Sequence, residues 1–271
     1  VQLALKFAQY YLTSSNGKGH GIHSPFVFNF VQQVLNDQRH FYAYEAIENR
    51  RKWLLQNNEV LIIEDFGAGS RTGLTKQRKV KDIAASSLKP KKYAQLLFRM
   101  VDYYQPKTII ELGTSLGITS SYLASAKQDA EFITFEGSKA VAAIAKNNFS
   151  NLGLNNIRLI EGNFDKTLKP TLNTLLVDVD FAFLDGNHRY QPTIDYFNQL
   201  LPHLNEHSVV VFDDIHWSKE MEQAWYEIQQ NNMVTLSIDL FFVGLVFFKK
   251  DFKVKQHFSQ KISQKSEKKT K

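Results

Sequence analysis

Residues 107–117, Lys-Thr-Ile-Ile-Glu-Leu-Gly-Thr-Ser-Leu-Gly, have the spacing best suited to chemistry. An apolar strand ends at Glu111 and a helix follows over 118–126. Between them Gly113 lets the backbone turn where a side chain would clash, and Gly117 lets a ligand approach the helix start, with Ser115 in the turn. A strand, a glycine turn and a helix make a nucleotide-type cofactor site at a strand's carboxyl end. The E-x-G-x-x-x-G spacing differs from the G-x-G-x-x-G of dinucleotide sites. Later apolar runs also end in polar groups: Phe135-Glu136-Gly137, Glu161-Gly162-Asn163-Phe164, Leu184-Asp185-Gly186-Asn187-His188 and Phe212-Asp213-Asp214-Ile215-His216-Trp217. A carboxylate at Glu136, one strand beyond the glycine turn, can accept both hydroxyls of a ribose. Asn163 could hydrogen-bond an adenine edge, and Phe164 could stack on its ring.

These residues share one crevice only if regular elements carry them there. From Lys107 onward the periodicity predicts strands over 107–112, 131–136, 157–161, 179–184, 207–212, 233–239 and 242–248. Helices are predicted over 117–127, 138–149, 165–173, 191–201 and 217–231. The strands are near-continuous apolar runs, as in a parallel sheet covered on both faces. The last two are joined by about two residues and must be antiparallel neighbours. Pro106 stops a preceding helix over 91–104.

The chain's 271 residues fit one large domain, and 43% hydrophobic with 22% charged residues is ordinary for a globular protein. Zero Cys excludes disulfides, thiolate metal sites and Cys nucleophiles, and is compatible with the expected cytoplasmic location. No apolar run reaches membrane-span length, and the first twelve residues lack a cleavage signature. The net charge of +6 resides in the tail: residues 249–271 hold nine Lys against Asp251 and Glu267, leaving the rest near −1. Nucleic acid is therefore not an expected partner of the fold. Residues 251–271 read as a basic, disordered tail.

Together the ordered motifs resemble class I S-adenosylmethionine (SAM) methyltransferases, and over residues 91–250 the O-methyltransferases of the catechol/caffeoyl-CoA type and their bacterial relatives. The resemblance implies an α/β, Rossmann-like sheet of parallel strands closed by a C-terminal antiparallel hairpin, with helices on both faces. It implies SAM bound by Glu111, Gly113, Ser115, Gly117, Glu136, Asn163, Phe164 and Asp185, the Glu111 carboxylate suiting the cationic methionine end. Metal-dependent members hold one divalent cation at positions matching Asp185, Asp213 and Asp214, here a set of oxygen donors for Mg²⁺ or Mn²⁺. Where the family has its catalytic Lys, this chain has His188, a credible base near neutral pH. Asp185 and His188 are thus the expected catalytic residues. Competing readings make Asp213 or Asp214 a cap of the next helix, Asp185 a turn residue, and His188 a hydrogen-bonding group.

Residues 1–90 lie outside the resemblance. Helices are expected over 2–14, over 25–35 after a Ser24 cap with Pro25 behind it, and over 41–56. This mostly helical extension is read as a cover over the acceptor site. His20 and His23 fall in a glycine loop. Residues 59–73 repeat a D-x-G-x-G-S pattern, read as a strand or hairpin with a glycine loop outside the cofactor core, the alternative being a substrate-side lid using Ser70 and Arg71. The function expected is SAM-dependent methyl transfer to an oxygen of a small-molecule acceptor, assisted by a divalent metal. Methylation of RNA or protein, or SAM binding without catalysis, are the alternatives, and the sequence leaves homodimerisation open.

Overall fold

Helical and hairpin elements precede the main sheet. In the computed structural model, which describes residues 2–14, 24–64 and 75–262, α1 spans Gln2–Thr13 and α2 spans Pro25–Phe30. The Ser24 side chain caps α2 at the Val27 N–H, and the helix runs on as a π turn over Val31–Leu35. Next come α3 (Ala43–Leu54), the antiparallel hairpin β1 (Val60–Glu64) and β2 (Thr75–Lys79), α4 (Val80–Ser87) and α5 (Lys91–Tyr104). His20, His23, Ser70, Arg71 and the glycine loop between the hairpin strands lie outside the described residues.

Strands and helices then alternate as the apolar runs require: β3 (Thr108–Leu112), α6 (Ile118–Ala126), β4 (Glu131–Glu136), α7 (Lys139–Asn151), β5 (Ile157–Glu161), α8 (Phe164–Leu172), β6 (Phe181–Leu184), α9 (Tyr190–Leu200), β7 (Val209–Asp213), α10 (Lys219–Gln230), β8 (Leu236–Asp239) and β9 (Val243–Phe247). A further strand, β10, covers Gln256–Ser259. The sheet order is β10-β8-β9-β7-β6-β3-β4-β5, and β9 alone among the described strands of this sheet is antiparallel to its neighbours. This is the Rossmann-like order with a closing hairpin that the strand pattern predicts. Among the described residues no helix is long and apolar enough to cross a membrane.

Alternation along each strand divides the core. Ile109, Phe132, Phe181, Phe183, Val209, Val211 and Leu245 face one helical layer. Ile110, Ile133, Phe135, Ala182, Val210 and Phe212 face α8, α9 and α10.

Two expected boundaries do not follow the packing. The first, at residue 90, is crossed by a shared core: Val27, Phe30, Val31 and Val34 are fully buried with Leu96, Leu97 and Met100 of α5 and with the sheet. Their side chains continue the sheet's apolar face, so α2 belongs to the main core and is not a cover. The second is the tail. Residues 256–259 pair in parallel with β8, because the exposed β8 edge offers backbone hydrogen bonds and Phe258 packs on the core, and this outweighs the polar, lysine-rich composition.

Phe30 tests the first correction. Phe30→Ala should cost about 3–5 kcal/mol in urea unfolding of the full chain, whereas an independent extension would leave the main transition unmoved.

Candidate active site

The glycine turn after β3 is pressed against the end of β6. Gly113 has φ +108°, and a Cβ there would lie 2.2 Å from the Asp185 carbonyl oxygen. The Gly113 and Thr114 N–H groups both donate to the Phe135 carbonyl, and the Asp185 N–H donates to the Leu112 carbonyl. The turn, the end of β4 and the end of β6 are thereby tied together. They open onto a cavity of about 690 Å³ lined by Ser115, Glu136, Asn163, Phe164 and Asp185, among others.

Glu136 stands at the carboxyl end of β4 with its oxygens aimed by backbone donors. The Ser115 N–H reaches Oε2 at 2.8 Å and the Ser138 N–H reaches Oε1 at 2.9 Å. A carboxylate has about four acceptor positions, so both oxygens keep capacity for a vicinal diol. Asn163 caps α8 through the Asp165 N–H at 2.9 Å. Phe164 lies over Gly186, where a Cβ would come within 2.6 Å of its ring, and meets Tyr196 edge-on at 6.0 Å.

Two expected cofactor residues do not reach the cavity. Glu111 is fully buried. It shares the strand face of Ile109, so its side chain turns toward α6, where Oε2 accepts from the Ser120 hydroxyl and, at 2.6 Å, from the Thr134 hydroxyl. Burial pushes its carboxyl up to about 8 against the pull of those two hydroxyls. Burial thus favours the neutral carboxyl, and Glu111 does not line the cavity. Gly117 has φ +79°, but the space its Cβ would fill is taken by Phe149 at 2.6 Å and Ala145 at 3.1 Å of α7. It permits helix packing and gives no ligand access.

At the other end of the cavity the ends of β6 and β7 emerge side by side, because Leu184 pairs with Phe212. Asp185, His188 and Asp213 place one ligand-type atom each within 4.8 Å of one another, and His188 Nε2 lies 3.4 Å from Asp185 Oδ1. Asp214, the expected third metal ligand, is not in that group. It lines the cavity, but its backbone, at φ +52°, makes the turn after β7: its N–H donates to the Phe242 carbonyl and its own carbonyl accepts from the Trp217 N–H. Neither Asp213 nor Asp214 caps α10, since Ser218 does so through the Met221 N–H.

Sequence reasoning missed Lys89, which reaches this cluster from the loop between α4 and α5. Its side chain is 8% exposed, and Nζ is 2.5 Å from Asp213 Oδ2 and 3.7 Å from Asp185 Oδ2. The only local signal is a lysine wedged between Leu88 and the helix-opening Pro90. Burial opposes charge on Asp185, yet Lys89 and His188 hold its carboxyl well below the usual range. Burial and the neighbouring Asp185 and Asp214 push Asp213 upward, so the two acids titrate as a pair. Burial disfavours charge on Lys89 and on His188, but the carboxylates raise both above their ordinary values. With this ammonium on two of the three groups, the donor set does not fit a resident divalent ion.

Of the N-terminal ninety residues, the cavity's described lining takes Ile63, Arg78, Ile83 and residues 86–90, from the hairpin, α4 and the loop after it. Helices α1, α2 and α3 contribute none, and the hairpin expected outside the cofactor core is part of the wall.

Residues 110–215 match the family model for a methyltransferase domain. This segment runs from β3 to the turn after β7 and holds the polar strand ends Glu111, Glu136, Asn163, Asp185 and Asp213. A 64-residue stretch is 38% identical to an uncharacterised protein of Acanthamoeba polyphaga mimivirus, covering 22% of this chain and 29% of that protein. The chain thus spans under a third of that relative's length. Among solved structures, an S-adenosylhomocysteine-bound methyltransferase from Podospora anserina aligns with TM-score 0.60 at 16% identity, over 84% of this chain and 98% of that one. An O-methyltransferase from Bacillus cereus, in complex with S-adenosylhomocysteine, aligns with TM-score 0.56 at 18% identity, over 82% and 97%. The O-methyltransferase TomG from Streptomyces achromogenes, in complex with SAM, gives 0.54 at 16%, over 82% and 95%. At these identities the likeness is one of fold. Its extent exceeds residues 91–250, so the shared architecture takes in part of the N-terminal segment.

Glu111 supplies a pH signature. Its carboxyl is raised from 4.5 to about 8 on folding, so the stability it contributes is full below about pH 4.5 and is lost as pH rises through about 8. Glu111→Gln, which keeps the shape and stays neutral, should flatten the fall in melting temperature between pH 5 and pH 8. An unchanged slope would show that Glu111 is charged in the fold.

Proposed function

We propose that the chain is a SAM-dependent methyltransferase that transfers a methyl group to an oxygen of a small-molecule acceptor. The observation that carries this reading is that one cavity joins a backbone-aimed carboxylate, Glu136, to an acid–base cluster, Asp185 and His188. Its volume of about 690 Å³ is that of a small-molecule site. Glu136 would hold the ribose hydroxyls, Asn163 the adenine edge and Phe164 the ring face, with Ser115 and Asp185 beside them. When bound, SAM supplies an electrophilic methyl on a sulfonium.

The chain's own groups then have defined tasks. His188 presents Nε2 to Asp185, and in the tautomer protonated there Nδ1 is left as the base for the acceptor hydroxyl. Asp185 orients the ring and stabilises the imidazolium as the proton arrives. The acceptor oxygen bonds to the methyl carbon as the carbon–sulfur bond breaks, leaving a neutral thioether. Residues of α4 and the hairpin flank the acceptor's end of the cavity, and positioning supplies much of the rate. No step is assigned to a divalent metal, because Lys89 already holds the carboxylates.

Calorimetry should detect S-adenosylhomocysteine binding and no NAD binding, with Glu136→Ala weakening the former by about 1–3 kcal/mol. Equal affinity in the variant would remove Glu136 from the cofactor site. With labelled SAM and a panel of hydroxyl-bearing acceptors, His188→Asn should lower turnover by roughly 10²–10⁴-fold at unchanged S-adenosylhomocysteine affinity. Undiminished turnover would rule His188 out as the base.

A further inference from the structure

Resting on the methyl-transfer reading above, we infer that Lys89 stands in the place of a divalent cation and binds the acceptor oxygen itself, so that turnover requires no metal. Geometry carries the assignment. Asp185, His188 and Asp213 converge as a cation site would, but the Lys89 ammonium is bonded to Asp213 and lies near Asp185. A divalent ion needs oxygens at about 2.0–2.6 Å. To reach these two it would have to lie beside a buried positive charge that depends on the same carboxylates. The lysine is fixed in place: Pro90 follows it, its side chain is buried, and Nζ lies 5.6 Å from the centre of the Phe183 ring.

The ammonium also has capacity to act. It carries three N–H donors, and among the described residues Asp213 is the one carboxylate at hydrogen-bond distance. Lys89 lines the cavity together with Asp185, His188 and Asp214, so its remaining donors can meet an acceptor oxygen there. During transfer the acceptor O–H bond breaks and its proton passes to His188. The new O–C bond forms as the C–S bond breaks. Lys89 keeps all its protons, and its N–H···O contact stabilises the negative charge that grows on oxygen before the methyl arrives. A lysine suits this task as a compact point charge.

Two independent readouts test the assignment on the full chain. In the first, Mn²⁺ alone is titrated and the free-ion electron paramagnetic resonance signal is followed. Wild-type protein should take up no Mn²⁺ at this site. Lys89→Ala, which leaves the carboxylates without their cation, should take up one Mn²⁺ per chain and lose it again when combined with Asp213→Asn. Uptake by wild type that Asp213→Asn abolishes overturns the inference, as does a folded Lys89→Ala protein that binds none. Should the variant not fold, the wild-type titration with its Asp213→Asn control decides alone. In the second readout, methyl transfer should persist in EDTA, and Lys89→Met should lower kcat by roughly 10²-fold with S-adenosylhomocysteine affinity unchanged. Turnover lost in EDTA and restored by Mn²⁺ overturns the inference. Absence of S-adenosylhomocysteine binding would instead remove the methyl-transfer reading, and the Mn²⁺ titration would still report on Lys89.

Discussion

A buried ammonium is tolerable only while its counter-charges stay in place, and the cavity is organised by that constraint. Lys89 depends on Asp213 and Asp185, which sit together because β6 and β7 run parallel in register and end at the same level. Lys89 arrives only if α4 and α5 hold their loop over the sheet's carboxyl edge. The segment before residue 91 therefore brings the positive charge that lets two acids share one small volume. Loss of Lys89 leaves Asp213 buried without its ammonium.

The Glu136 end of the cavity rests on backbone geometry. Glu136 is positioned by main-chain N–H groups of Ser115 and Ser138, and Ser115 adopts a left-handed φ of +48° in the turn. Gly113 makes that turn possible by omitting the one atom that would strike Asp185. The two ends of the site meet where the turn after β3 packs on the end of β6 and where Phe164 lies over Gly186.

The sheet was legible because strands buried on both faces show as apolar runs whatever their neighbours. That Glu136 would stand at the sheet's carboxyl edge was legible because it closes an apolar run one strand beyond the glycine turn. Glu111 ends a run too, but strand parity sends it to the Ile109 face and into α6, which the motif alone does not reveal. Gly117 looked like a ligand approach because the ring that fills its space, Phe149, comes from the next helix. Lys89 was hidden because its charge has meaning only beside Asp185 and Asp213, which the chain supplies much later. The edge strand Gln256–Ser259 was masked by flanking lysines that outweigh its four residues in any compositional reading.

The two ends of the described chain are fastened to each other. The Tyr10 hydroxyl bridges the carbonyls of Asp239 and Gln260 at 2.7 and 2.9 Å, joining α1 to both β8 and the residue after β10. Lys6 reaches Glu222 at 2.8 Å, and Glu222 with Asp239 brackets His216, beside Trp217 of the cavity wall. A clasp of such sequence separation cannot close during most of synthesis, so α1 waits for residue 260 to be made. Because β10 covers the outer edge of β8, that edge is open to pairing with other chains until residues 256–259 have been made.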